Sequence, residues 1–506
     1  MNTFYRKFSR TLCTAVFLTA CFSIGGWAQD AKQSTPQADT SSKNQAGTSP
    51  QQPPSSSASK DAQQAPSAES EQKISPKAAE ELFRSVDEIL KFASKDTSLP
   101  IHDEVKRRLV NRDEVVAFIR KHMAEDEDAQ RLRRSEMVLK KFGLLPRDFD
   151  LQTFLVALLR EQVAGYYDPQ TKTVNLLDWI EPDQQKPVLA HELTHALQDQ
   201  SFGLEKYMKS GAGDLATSKQ EPTPDDIRND EESAAHQAVV EGQAMVVLID
   251  YELSPTGMSV IDSPQIVEAL KAGMEMGTAD SIEFRNAPLY IREALTFPYR
   301  YGLDFEMALL KTGREQAYAG VFHRPPRTTR EIMEPHAYLS EEKLAPLPLP
   351  DFKKDFKNYD KFDIGAVGEF DVAILMEQFA GEEISRRLYP HWRGGYYYAA
   401  RPHGDSSAPL GLMYVSRWSS PGKASEFARV YAKGLEKRYK RVHEVVDETP
   451  KPKPVDDSVE ALSGKHSWLT EDGSVFIEVQ GDTVLVSESL DQDTTERVGR
   501  AVLPAK

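Results

Sequence analysis

The stretch Pro187-Val-Leu-Ala-His-Glu-Leu-Thr-His-Ala-Leu-Gln-Asp-Gln200 carries two histidines four residues apart, His191 and His195, with Glu192 between them. On a helix, residues i and i+4 project from one face, so both imidazoles can share one ion. Glu192 lies about 100° further round, where it can reach a water bound to that ion rather than the ion itself. Zinc hydrolysis needs this set of groups: neutral imidazoles to hold the ion, an open position for water, and a carboxylate to take that water's proton. Pro187 suits the first turn of such a helix. The pattern constrains the fold because two side chains do not complete a site. A second element has to bring a third donor against the same helix face.

The best candidate for that donor is Glu241, in Ala234-Ala-His-Gln-Ala-Val-Val-Glu-Gly-Gln-Ala244. On a helix, Ala234, Ala238, Ala244 and Met245 share the Glu241 face, and small residues let two helices approach closely. A carboxylate on such an apolar stripe is costly without a partner, and a metal is one. His236 is the runner-up, but five residues from Glu241 it points about 140° away, which suits an outer or surface position. Asp199 is a candidate to orient a ligand histidine through its second ring nitrogen, with a helical surface aspartate as the alternative. For the donor that stabilises an oxyanion, Tyr166, Tyr167, His323, Arg324, His336 and Tyr338 are available, and Tyr167 is preferred because its strand should flank the cleft.

The order His191 to His195 followed by Glu241 resembles the gluzincin branch of zinc metallopeptidases, in which the third ligand is a glutamate on a following helix. That resemblance implies a fold whose edge strand, beside the metal helix, binds substrate backbone; the segment from Val163 to Leu177 could supply it. A closer similarity covers most of the chain. Exported bacterial proteins of a zincin-like group carry segments similar to Phe142-Gly-Leu-Leu145, Glu161-Gln-Val-Ala-Gly-Tyr-Tyr-Asp-Pro169, the segment from His191 to Phe202, Val240-Glu-Gly-Gln-Ala244, Phe297-Pro-Tyr299 and Pro325-Pro-Arg-Thr-Thr329. One departure stands out: where that group has His-Pro ahead of the tyrosine matching Tyr338, this chain has Glu334-Pro335, with His336 one step beyond.

At 506 residues the chain exceeds a single ordinary core. Residues 1–28 read as an export signal, with Arg6, Lys7 and Arg10 before the apolar run from Leu12 to Ala20 and a Gly26-Trp27-Ala28 end. Leu18-Thr19-Ala20-Cys21 also resembles a lipobox, which would leave a membrane tether through Cys21 if that residue is lipidated. Both cysteines, Cys13 and Cys21, fall inside this segment, so cleavage after Ala28 leaves no thiol for a disulfide or a metal. The formal charge of −16 becomes −19 without the three basic residues of the signal (−16 minus 3), which argues against nucleic acid as a partner. Residues 29–75, rich in Gln, Ser, Ala, Pro and Thr, read as a disordered tether.

The expected architecture is α+β. A predominantly helical zincin-like domain over 76–350, with a small edge-strand sheet, precedes a small α+β domain over 365–506. In the first, helix is predicted from Pro76, over Asp113 to Arg134, Leu151 to Gln162 and Asp230 to Tyr251, and onward to about Thr312, with two short strands within Val163 to Leu177 and an irregular Pro325 to Pro350. In the second, strands are predicted at Tyr396 to Ala400, Leu410 to Trp418, Val475 to Val479 and Val484 to Ser487, with a helix over Lys423 to Lys440 and a loop at Thr449 to Val455. The expected function is an exported zinc metallopeptidase, periplasmic, extracellular or membrane-anchored, acting on a peptide or protein of the cell envelope. Zn2+ would be held by His191, His195 and Glu241, with Glu192 as general base. The alternative is a non-catalytic envelope protein with a structural or vestigial zinc site and an interaction role for the C-terminal domain.

Overall fold

A computed structural model describes residues 73–115, 117, 126–161, 165–209, 214–277, 281–445 and 462–504. The export signal with its two cysteines, nearly all of the proposed tether, residues 162–164 and the Thr449 to Val455 loop lie outside the described residues. Among the described residues, no helix is long and apolar enough to cross a membrane.

The chain is mixed α and β, with helices dominating the first part and an antiparallel sheet the second. Helix α1 (Pro76–Thr97) starts where Ser75 accepts the Ala78 N–H at 3.1 Å, and its buried stripe of Leu82, Val86, Ile89, Leu90 and Ala93 has helical period. Strands β1 (Lys106–Val110), β2 (Tyr166–Asp168) and β3 (Thr173–Leu177) form a small sheet in the order β1-β3-β2. β3 pairs parallel with β1 and antiparallel with β2, which leaves β2 at the edge. β1 is absent from the sequence expectation because Lys106-Arg-Arg108 looks like a solvated run; in the structure Lys106 and Arg108 are exposed, Arg107 is half-buried with its guanidinium on the Phe83 carbonyl and Asp87, and only Val110 is buried.

Helix α2 (Pro182–Phe202) carries the paired histidines. It begins one turn earlier than expected: Pro182 occupies the first turn and Pro187 lies inside the helix. The helix ends at Gly203, whose left-handed backbone lets its N–H reach back to the Asp199 carbonyl at 2.8 Å. Helix α3 (Glu232–Leu253) carries Glu241 and is buried along almost its whole length. The further helix expected up to about Thr312 is present as Pro264–Gly277, Ile282–Asn286 and α4 (Leu289–Leu310). The segment from Pro325 to Pro350 is less irregular than its prolines suggest, since it includes short helices at Thr329–Met333 and Pro335–Leu339.

The second part is a seven-stranded antiparallel sheet, β4-β5-β6-β10-β9-β8-β7, built from β4 (Tyr359–Ala366), β5 (Trp392–Pro402), β6 (Gly411–Trp418), β7 (Val442–Glu444), β8 (Gly464–Thr470), β9 (Gly473–Gln480) and β10 (Thr483–Glu488). Period-2 alternation gives it two apolar faces. Tyr397, Tyr414, Val484 and Val486 face the helices Glu369–Ala380 and Pro421–Arg438 and join the core that also holds Leu193 and Val246. Tyr396, Tyr398, Met413, Val415 and Leu485 face the other way, under Phe352, Phe356 and the C-terminal helix Gln492–Val502. One apolar core thus runs from the histidine helix to the sheet, with Phe142 edge-on to Tyr397 and Tyr414 where the two parts meet.

The crossing of α3 and α4 positions Glu241. A Cβ added at Gly242 would stand 2.2 Å from the Gly302 carbonyl oxygen, and one at Gly302 would stand 2.2 Å from the Ala238 carbonyl oxygen. Backbone meets backbone there, so no side chain can swing aside to admit a methyl group. Gly242→Ala is therefore predicted to destabilise the fold by about 1–3 kcal/mol, as overpacking does. Gly273→Ala, in a helix with no atom within 4 Å of the added carbon, is predicted to stabilise by up to about 1 kcal/mol through helix propensity. Calorimetry of the pair should move Tm in opposite directions.

Candidate metal centre

Helices α2 and α3 bring His191, His195 and Glu241 together in the core, each at most 2% exposed. The ligating atoms converge: His191 Nε2 lies 3.0 Å from Glu241 Oε2 and 3.0 Å from His195 Nε2, and His195 Nε2 lies 3.5 Å from Glu241 Oε2. Among the described residues, these three are the group of histidine, cysteine and carboxylate side chains that could hold a metal ion. Zinc–ligand bonds of about 2.0–2.1 Å in a tetrahedron put neighbouring donors about 3.3–3.4 Å apart, so this triangle is of the right size. Two imidazole nitrogens and one carboxylate oxygen also make the donor set that suits zinc with a coordination position left over.

The imidazoles are held from behind. Tyr299 stacks on His191 with ring centroids 6.3 Å apart and planes 26° off parallel. His195 Nδ1 lies 2.8 Å from Gln198 Oε1, and Gln198 Nε2 donates to the Val240 carbonyl at 3.1 Å and to Gln243 Oε1 at 2.8 Å. Burial lowers the pKa of His191, with Glu241 opposing, and so favours the neutral ring a metal requires. Burial works against the charged form of Glu241, yet the histidines beside it hold its pKa below the ordinary glutamate value.

Glu192 is also in the core, 1% exposed. The Tyr167 backbone N–H, on the edge strand β2, donates to Glu192 Oε2 at 2.7 Å. Glu192 Oε1 is buried without a hydrogen-bond partner among the described residues. Burial first, and the charge of Glu241 second, push the Glu192 carboxyl well above its ordinary pKa, while the Tyr167 N–H opposes them. One oxygen is thus fixed by the strand and the other is left for a proton.

Several expected helpers stand elsewhere. Asp199 does not orient a ligand histidine: its carboxylate accepts the Tyr167 hydroxyl at 3.0 Å and the Leu204 N–H at 3.0 Å. It is Gln198, one residue earlier, whose side chain lies against the second ring nitrogen of His195. Tyr167 touches the cluster with its backbone, and its hydroxyl is committed to Asp199. His236 is neither ligand nor surface residue. It is buried, stacks on Tyr207 with centroids 4.3 Å apart, and lies 3.2 Å from the Tyr207 carbonyl through Nδ1, burial pulling its pKa down to about 4. Arg324 and Tyr338 occupy each other: the guanidinium lies 4.0 Å over the ring, and the hydroxyl donates to the Arg324 carbonyl at 2.7 Å. Tyr166 is buried in β2, with burial raising its pKa to about 12. His323 stands edge-on to Phe202, at the far end of α2, and His336 is exposed beside Glu334.

Compared with protein-family models, curated proteins and solved structures, the chain has no match.

Removing a ligand should cost more than the tenfold to hundredfold loss typical of an outer partner. We expect Glu241→Ala and His195→Ala each to lower zinc affinity by more than about 100-fold in competition with a chelator. Affinity equal to wild type in either variant would remove that residue from the site.

Proposed function

We propose that this chain is a zinc-dependent metallopeptidase of zincin-like, gluzincin type, hydrolysing a peptide or protein substrate of the cell envelope. The observation that carries the reading is the placement of Glu192: its free Oε1 belongs to the residue next to a ligand histidine, in a core where an unpaired carboxylate is costly. A zinc ion held by His191, His195 and Glu241 would supply a polarised water and a Lewis acid for the scissile carbonyl.

The remaining work falls to the chain's own side chains. Glu192 Oε1 takes the proton of the attacking water and then delivers it to the leaving amine. Glu192 has to be ionised for the first transfer, and a cation held beside it would favour that carboxylate form against the burial and the Glu241 charge that raise its pKa. The Tyr167 N–H keeps Oε2 fixed through both transfers, so only Oε1 needs to change partner. β2 is an edge strand of three residues beside α2, the place from which a strand can align an extended substrate, with the Tyr167 N–H already given to Glu192. Release outside the cytoplasm, or anchoring at a membrane, follows from the export-like residues 1–28 and is part of the same proposal.

A second reading has an observation of its own. All three ligands and Glu192 are at most 2% exposed, which a structural zinc site would also show and which obliges a substrate to reach a covered centre. Glu192→Gln separates the two readings. For a peptidase, the variant keeps zinc within a few-fold of wild-type affinity while cleavage of a mixed peptide library falls by at least about 100-fold, the lower range of proton-transfer catalysis. Zinc bound by both proteins with cleavage by neither would favour the structural site.

A further inference from the structure

We propose that Gln198 and Gln243 are positioning residues of the metal centre, a one-way relay that fixes which nitrogen of His195 faces the ion; this rests on the metal-site reading above. Two backbone positions set the direction of the relay. A side-chain amide has one donor end and one acceptor end, and a carbonyl can only accept, so a carbonyl beside an amide decides which way the amide points.

The Val240 carbonyl stands 3.1 Å from one end of the Gln198 amide, which must therefore be Nε2. The carbonyls of Ala317 and Tyr318 stand 2.8 and 3.2 Å from one end of the Gln243 amide, which must likewise be Nε2. These two assignments agree where the amides meet, because Gln198 Nε2 then faces Gln243 Oε1 at 2.8 Å, donor to acceptor. What remains of Gln198 is Oε1, an acceptor, 2.8 Å from His195 Nδ1. A neutral imidazole beside it has to carry its hydrogen on Nδ1, so Nε2 holds the lone pair. Nε2 is the nitrogen that faces His191 and Glu241. Gln198, Gln243 and His195 are at most 2% exposed, which leaves water little room to offer another arrangement.

The structure of the helices serves this chain of bonds. Gln316–Gly320 is a π-helical turn, and two of its successive carbonyls converge on one amide. Gln243 follows Gly242, whose contact with Gly302 sets how deeply α3 sits. Ligand histidines in metal sites commonly donate their second N–H to a carboxylate, a backbone carbonyl or water; here an amide takes that place and passes the orientation on to the backbone.

The test uses the full chain with selectively 15N-labelled histidine, zinc-free and with zinc alone as the probe. In zinc-free wild type, the His195 resonances, assigned through His195→Ala, should report hydrogen on Nδ1. Gln198→Met, similar in length and without an acceptor for the N–H, should mix the two tautomers and lower zinc affinity by about 10–100-fold. Gln198→Glu keeps an acceptor for Nδ1 but sets a second oxygen against Val240 O and Gln243 Oε1. It should therefore lose thermal stability yet bind zinc more tightly than Gln198→Met. Affinity that instead follows stability across the three proteins, or hydrogen on Nε2 in wild type, would overturn the relay. Wild type that binds no zinc would sink the metal-site reading, while the tautomer measurement still judges the relay.

Discussion

At the centre of the helical part stands a buried carboxylate, Glu241, whose pKa the two neighbouring histidines hold below its ordinary value against the effect of burial. Glu241 sits on a helix of alanines, valines and other apolar residues, 2% exposed, and isolated it would be strongly disfavoured there. The two imidazoles of α2 reduce that penalty, and a divalent cation between the three would reverse it. Other features of the helical part bring Glu241 to this position. Small residues at Ala234, Ala238 and Ala244 let α3 pack against its neighbours, and the bare backbones of Gly242 and Gly302 bring α4 against its other side. α4 in turn supplies the Tyr299 ring that backs His191.

The same crossing links the site to the rest of the molecule. The core around α2 and α3 continues without a break into the face of the seven-stranded sheet that carries Tyr397 and Tyr414. Near that junction Glu488, fully buried at the end of β10, accepts hydrogen bonds from Arg438, Tyr431 and Tyr439. Such a buried, multiply bonded carboxylate fixes geometry more than it adds stability, since desolvation takes back much of the attraction. The sheet thus gives the helical part a rigid backing rather than a loosely tethered neighbour.

How much of this was legible depended on the range of each signal. The His191 and His195 pair could be read because helical period alone places them on one face. Glu241 could be read because a lone carboxylate among alanines and valines is locally anomalous. Gln198 gave no such signal: glutamine has no metal-ligand pattern, and its partners, Val240 and Gln243, are more than forty residues away. Asp199 drew attention through its charge, but one residue turns a helix by about 100°, which sends it to Tyr167 instead. Strand β4 was missed because Asp360, Lys361 and Asp363 mask its alternation, yet Asp363 is buried and receives the Tyr397 hydroxyl. It begins at Tyr359, ahead of residue 365 where the second domain was expected to start. The strands richest in aromatic and β-branched residues, β5, β6, β9 and β10, were legible with errors of a few residues at their ends.

In the reading proposed above, two imidazoles and one carboxylate form a zinc site. Zinc-edge X-ray absorption of the purified, zinc-loaded chain addresses it most directly. One zinc per chain is expected, with a shell of two imidazole nitrogens and carboxylate or water oxygens at about 2.0–2.1 Å and no sulfur. A shell with one imidazole or none, unchanged in His195→Ala, would contradict it.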